Sequence, residues 1–239
     1  MSLKSFPSLE SLSAGAAKEI ASLANQSAAS RGRFTIALSG GSTPRTLYEM
    51  LAREYSKTID WRHVHIFWGD ERYVPQDDPA SNYRMAKESL LDKINIPEKN
   101  IHPIPYLSTP TDSSDAYSKE LQSLFKEEIP TLDLILLGLG SDGHTASLFP
   151  GMTEEEMNAG IVIVTHSPAP PPIRTSLALQ VINNARNVFF LVSGEEKKEI
   201  LKAVLAEEGN PDSKYPAARV YPRGGLVWFV DEAAMENKK

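Results

Sequence analysis

Asp133-Leu-Ile-Leu-Leu-Gly138-Leu-Gly140-Ser-Asp142-Gly143-His144-Thr-Ala-Ser147-Leu-Phe-Pro150-Gly151 begins as a nearly continuous apolar run and breaks into glycines, one aspartate and one histidine. A run of this length, bounded by turn residues, reads as a strand buried on both faces of a parallel sheet. Ligands of open α/β sheets bind beyond the carboxyl ends of such strands, which places His144 where chemistry is done. Imidazole is also the side chain whose ordinary pKa suits proton transfer near neutrality. A lone loop histidine more often packs or caps. Here Asp142 stands beside it as a candidate orienting group, and the glycines let backbone approach a ligand.

The same stretch matches the dinucleotide-binding pattern, Gly138-x-Gly140-x-x-Gly143, directly after a strand. That pattern also needs a long helix and an acidic residue about 20 positions on, for a ribose hydroxyl. Pro150 and Gly151 stop any helix after roughly two turns. The next strand, Ile161 to Thr165, runs into His166-Ser-Pro-Ala-Pro-Pro-Pro172 without a carboxylate. A nicotinamide cofactor is therefore not expected, nor any other.

Working outward, Leu9, Leu12, Ala16, Ile20 and Leu23 recur at helical spacing, so the chain is expected to open on an amphipathic helix. Phe34–Leu38 reads as a strand ending in Ser39-Gly40-Gly41-Ser42-Thr43-Pro44. Thr43 is the expected N-cap of the following helix, with Pro44 at its first position. Val64–Trp68 is a second strand, ending in Gly69-Asp70-Glu71-Arg72, and a helix follows from about Asn82. A short strand is expected around Ile101 to Ile104, and a helix carrying Tyr117, Leu121, Leu124 and Phe125 leads into the opening stretch. Further strands are expected near Arg174 to Leu179, at Asn187–Val192 and at Leu226–Val230. A helix carrying Ile200, Leu201, Val204 and Leu205 lies between the last two, and a short tail helix is capped by Asp231. Strands alternating with helices predict a doubly wound, mostly parallel, Rossmann-like α/β sheet with helices on both faces. One domain over residues 1–239 suits the length.

Composition narrows the function. Hydrophobic residues make up 41% and charged residues 23%, ordinary for a globular chain. A formal charge of −6 argues against nucleic acid as a partner, which requires a basic face, and means that an anionic substrate must be captured by a local cluster of cations. Without cysteine there is no thiolate nucleophile, disulfide or Cys-ligated zinc. No run has the length of a signal peptide core or a membrane span, so no membrane partner and a cytoplasmic location are expected. His63 and His65 alternate along a predicted strand, and no histidine pair has zinc-ligand spacing, so no metal is expected. No Gly-x-Ser-x-Gly elbow marks a serine hydrolase.

Ser39-Gly40-Gly41-Ser42-Thr43 lies between a strand and a helix N-terminus, where backbone N–H groups and the helix dipole favour an anion. It lacks the Gly-Lys-Ser/Thr ending of a P-loop. Gly69-Asp70-Glu71-Arg72 brings carboxylates and a guanidinium to another strand end, as a site or as a surface ion-pair network. Arg174 follows the stiff Pro170-Pro171-Pro172, and Lys197 sits in the first turn after Ser193-Gly194, placed to meet a bound dianion.

Leu38-Ser-Gly-Gly-Ser-Thr-Pro44, Trp68-Gly-Asp-Glu-Arg72, Ser81-Asn82-Tyr83, Gly138 to Gly151, Arg174 and Gly194-Glu-Glu-Lys197 together resemble the 6-phosphogluconolactonases. The segments follow the family's order across most of the chain, and the Gly138 to Gly151 stretch is highly specific. The resemblance implies hydrolysis of 6-phosphoglucono-1,5-lactone to 6-phosphogluconate, the second step of the oxidative pentose phosphate pathway. It also implies a fold shared with glucosamine-6-phosphate deaminases and ribose-5-phosphate isomerases. On that reading His144 is the general base, oriented by Asp142 or another carboxylate such as Asp70, and Arg72 with backbone amides meets the oxyanion. Gly40, Gly41, Ser42, Thr43, Arg174 and Lys197 (or Lys198, in the same turn) hold the phosphate, and Asn82 bonds sugar hydroxyls. The protein is expected to act as a monomer. Alternatives are a sugar-phosphate deaminase or isomerase, and a sugar-phosphate sensor, for which the residues before the first strand are too few to supply a helix-turn-helix with its core.

Overall fold

The computed structural model describes residues 1–235. The chain opens on a strand that the sequence does not announce, β1 (Ser2–Phe6), whose polar residues alternate with apolar ones on a largely exposed edge. Helix α1 (Leu9–Arg31) is capped by the Ser8 hydroxyl and ends at Gly32, left-handed at φ 75°. Then come β2 (Phe34–Leu38), α2 (Ser42–Glu54), β3 (Val64–Trp68), β4 (Asp70–Arg72), α3 (Asn82–Ser89) and α4 (Pro110–Phe125). The second half carries β5 (Leu134–Gly138), α5 (Glu154–Met157), β6 (Val162–His166), β7 (Ile173–Leu177), α6 (Leu179–Asn184), β8 (Asn187–Val192), α7 (Lys198–Ala206) and β9 (Gly225–Asp231). A single 3-10 turn capped by Asp231 follows β9.

Six strands form a parallel sheet in the order β1-β9-β8-β5-β2-β3. The chain leaves β2 toward β3 on one side and later runs through β5, β8 and β9 on the other. Its switch point, where such sheets bind ligands, therefore lies between β2 and β5. All five residues of β2 are buried, as are Leu134 to Leu137 of β5, the burial that their unbroken apolar sequence demands. Phe190 of β8 stacks on Trp228 of β9 at 3.8 Å between ring centroids.

Three strands leave that sheet. β4, β7 and β6 form an antiparallel sheet of their own; the sequence predicts β6 and β7 as further members of the mostly parallel sheet, and reads Asp70–Arg72 only as the end of the second strand. Gly69 marks the crossing. Its N–H donates to Leu38 O of β2 at 2.8 Å and its carbonyl accepts from Leu177 N of β7 at 2.8 Å. Other expectations shift locally. Helix α2 starts with Gly41 as N-cap and no side-chain cap, so Thr43 lies inside the first turn. Near Ile101 there is one parallel bridge to Ile66. No helix forms between β5 and Pro150. His63 sits in a 3-10 turn before β3, so it does not alternate with His65 along a strand. No helix among the described residues is long and apolar enough to cross a membrane.

Candidate active site

At the carboxyl ends of the parallel strands lies a cavity of about 350 Å³, bordered by Gly40, Gly41, Asp70, Arg72, Asn82, His144, Arg174 and Lys197. These residues come from loops after β2, β5 and β8, from β4 and β7 of the second sheet and from α3, and the fold brings them to one place. Ser42 and Thr43 do not border the cavity, and Lys198 does not either.

His144 is held by its own loop. Its Nδ1 lies 2.6 Å from Asp142 Oδ1, and its backbone N–H donates to the same oxygen at 3.0 Å. Burial raises the Asp142 carboxyl, but the His144 N–H and the attraction of the ring more than offset it and leave Asp142 below the ordinary carboxylate value. An ionised carboxylate only accepts, so Nδ1 carries a proton, and in the neutral ring Nε2 is the nitrogen with the lone pair. A Cβ at Gly140 would stand 2.1 Å from His144 Nδ1, and Gly143 adopts φ 87°, a region that favours glycine. The glycines that imitate a dinucleotide fingerprint thus serve the histidine's turn. The Phe149 ring covers one side of the imidazole at 5.0 Å.

The cationic side rests on the second sheet. Arg72 of β4 and Arg174 of β7 are directly opposed, so their side chains share a face. Arg72 donates to Ala80 O, whereas the Arg174 Nε is buried without a hydrogen-bond partner. Burial and the Arg72 charge both push the Arg174 pKa down, with Asp70 and Glu71 pulling the other way. Two opposed guanidiniums are unfavourable on their own, and an anion between them reverses the sign. Lys197 joins them from the turn after β8, whose Gly194 N–H is fixed by Asp231 Oδ1 at 3.1 Å.

The alternative of a surface ion-pair network at Asp70-Glu71-Arg72 does not hold, because Asp70 and Glu71 are 8% and 5% exposed. Burial raises the Glu71 pKa against opposing hydrogen bonds. Its carboxylate accepts from the N–H groups of Asn82 and Tyr83 at 2.7 and 2.8 Å, so it anchors the start of α3. Asp70 faces the cavity and accepts from Ser147 Oγ at 2.6 Å. The Asn82 amide donates to the Asp70 carbonyl at 2.9 Å, with its oxygen against Gly40.

Sequence reasoning missed the groups that fix these loops. Ser147 bonds with every polar group it has: Oγ to Asp70, N–H to Ser176 Oγ at 3.2 Å, and carbonyl from Thr165 Oγ1 at 2.8 Å. Ala146 beside it takes φ 47°, a strained backbone at the cavity wall. Two buried tyrosine hydroxyls clasp strand ends. Tyr48 accepts from Ser39 N at 3.0 Å and donates to Ser39 O at 2.8 Å, and Tyr117 does the same to Trp68 at 2.9 and 3.2 Å. Helical spacing marked Tyr117 only as a core position and did not mark Tyr48. Among the described residues no cluster of three or more His, Cys, Asp or Glu could hold a metal ion.

The family of glucosamine-6-phosphate isomerases/6-phosphogluconolactonase matches residues 7–228. The chain belongs to this family. Within the glucosamine-6-phosphate isomerase/6-phosphogluconolactonase family, a 6-phosphogluconolactonase of Synechocystis sp. is 46% identical over 213 residues, covering 87% of this chain and 86% of the relative. Among solved structures, the 6-phosphogluconolactonase of Trypanosoma brucei superposes with a TM-score of 0.84 at 32% identity, covering 98% of this chain and 97% of that one. A monomeric glucosamine-6-phosphate deaminase superposes with a TM-score of 0.82 at 20% identity over 98% of both chains, a likeness of fold alone.

Proposed function

We propose that this protein hydrolyses 6-phospho-D-glucono-1,5-lactone to 6-phospho-D-gluconate, the second step of the oxidative pentose phosphate pathway, by general-base activation of water. The observation that carries this reading is a histidine–aspartate pair, 2.6 Å apart, bordering the same cavity as Arg72, Arg174 and Lys197. A base and an anion clamp in one small space suit a phosphorylated substrate that water can attack without a covalent intermediate. A δ-lactone is such a substrate.

His144 Nε2 takes a proton from water as the oxygen attacks the C1 carbonyl. Asp142 holds the ring in the required tautomer and stabilises the imidazolium. Backbone N–H groups of the glycine-rich turns, with Arg72, face the oxyanion. When the tetrahedral intermediate collapses, the ring oxygen leaves as the C5 hydroxyl and takes the proton from His144. Arg174 offers a planar fork and Lys197 a point charge to the 6-phosphate, with Gly40 and Gly41 presenting backbone. Ser42 and Thr43 contribute through the first turn of α2 rather than through the cavity wall. Asp70 and Asn82 are the polar groups left for sugar hydroxyls, so Asp70 reads substrate instead of orienting His144. A monomeric, cytoplasmic enzyme of one domain that needs no metal or cofactor remains part of this proposal.

The test generates the lactone in situ from glucose 6-phosphate and follows its disappearance against the spontaneous background, with ammonia release from glucosamine 6-phosphate measured in parallel. Accelerated lactone loss without ammonia supports the reading. Ammonia release without lactone loss replaces it with a deaminase.

A further inference from the structure

The loop after α7 reaches back to the catalytic turn. Residues 207–220 are tied to themselves: Ser213 is buried, its carbonyl accepts from Arg219 Nε, its hydroxyl bonds Glu207, and Gly209 N–H donates to Ala218 O at 2.8 Å. From this block Ala217 N–H donates to Gly143 O at 3.1 Å. Tyr215, half-buried against the core, lays its stem and ring edge where Gly143 lacks a side chain. A Cβ there would be 2.5 Å from Tyr215 Cδ1 and 3.1 Å from its Cβ and Cγ. Gly143 is the residue between Asp142 and His144, and the turn closes on itself through Gly143 N to Gly140 O at 3.0 Å and Gly140 N to His144 O at 2.9 Å.

We propose that Tyr215 is a positioning residue for the reaction, a flat wall against Gly143 that keeps the Asp142–His144 pair in register with the cavity. The contact atoms belong to the ring edge and stem, so the shape of the side chain matters and its hydroxyl does not. Lys214, with Nζ 4.9 Å from the ring centroid, covers the ring and limits its freedom to swing away. Geometry of this kind governs rate more than affinity, since a displacement of about 1 Å at a catalytic group is worth about 100-fold. Substrate binding through Arg174 and Lys197 uses other loops and is untouched.

The inference rests on the lactonase reading, and its test has one arm that does not. Tyr215→Leu, which keeps apolar bulk but not the flat edge, is expected to lower kcat about 10- to 100-fold with KM changed less than about threefold, while Tyr215→Phe stays near wild type. In the independent arm, nitrogen NMR of His144 is expected to show protonated Nδ1 and bare Nε2 in wild type. The same pattern is expected in Tyr215→Phe, and a tautomer mixture in Tyr215→Leu. Unaltered kcat and an unaltered tautomer in Tyr215→Leu overturn the proposal, and so does a Tyr215→Phe variant as impaired as Tyr215→Leu. If wild type proves inactive on the lactone, the functional reading fails while the NMR arm still judges Tyr215.

Discussion

On the proposed mechanism His144 and Arg174 serve different ends of one substrate, so their loss should fail in different ways. His144→Ala is expected to cut turnover about 10²- to 10⁴-fold, with the histidine limb of the pH–rate profile gone and KM little changed. Retention of most lactonase activity would make His144 structural. On the proposed reading Arg174 meets the phosphate, remote from the bond that breaks, so its contact should be similar in ground and transition states. Each charge-assisted contact contributes about 1.5–3 kcal/mol, roughly 10- to 150-fold in affinity. Arg174→Ala should raise KM with a smaller fall in kcat and narrow the preference for the phosphorylated lactone over free glucono-1,5-lactone. Equal loss on both substrates would move Arg174 to the reacting end. At this scale the membership of the cavity was legible, because His144, Arg72 and Lys197 follow strands whose largely apolar runs announce themselves. The supports were not. Ser147 meets Asp70, Ser176 and Thr165, partners far away in sequence that no spacing rule connects.

Among the elements, those with dominantly apolar runs were legible to the residue: β2, β3 and β8 lie where the sequence put them. Direction and sheet membership were not, since β6 reads like any buried strand until its partner is known, and β1 has too few apolar residues to speak. The tyrosine clasps tie elements to the cavity. Tyr48→Phe would keep the shape of α2 but leave the Ser39 N–H and carbonyl, at a residue 5% exposed, short of their partner. A loss of about 1–3 kcal/mol in denaturant unfolding is expected, with a higher KM because Ser39 leads into Gly40 and Gly41. No change in either would show the clasp to be idle. The edge strand β3 carries another contact. His65 Nδ1 lies 3.1 Å from His102 Nε2, and His102 Nδ1 lies 2.7 Å from Glu120 Oε1 of α4. Burial, followed by the charges of His102, Arg33 and Lys99, pushes His65 down from 6.5 to about 4. Between those values the unfolded chain holds more protons than the folded one, so stability should fall as pH drops through this window and level off below it. Urea unfolding at stepped pH would check this, and His65→Phe should flatten the slope. An identical slope in the variant would place the pH sensitivity elsewhere.

At the scale of the molecule, one apolar core runs under both sheets, joining Ile163 of β6 and Leu177 of β7 to Phe67 of β3 and Leu136 of β5. With Gly69 and Ser147 stitched across the junction, the two sheets should unfold as one unit. Calorimetry is expected to give equal calorimetric and van't Hoff enthalpies, and two resolved transitions would divide the chain into separate domains. The overall charge of −6 opposes a phosphorylated substrate, so on the proposed reading capture rests on the local Arg and Lys cluster, and salt screens both that attraction and the wider repulsion.

The first strand has a consequence for how the protein is made. β1 is complete once Phe6 leaves the ribosome, yet its neighbour β9 begins at Gly225, with Ser2 opposite Val227. Until β9 is made β1 can lean on α1, through Phe6 against Gly15 and the Lys4–Glu19 ion pair, but has no strand to pair with, and the edge of β8 that β9 will cover stays bare. Closure of this margin must wait for β9 and is a long-range event, which is slow. The nascent chain passes its vulnerable stage with an open strand edge, the form most prone to pairing with other chains.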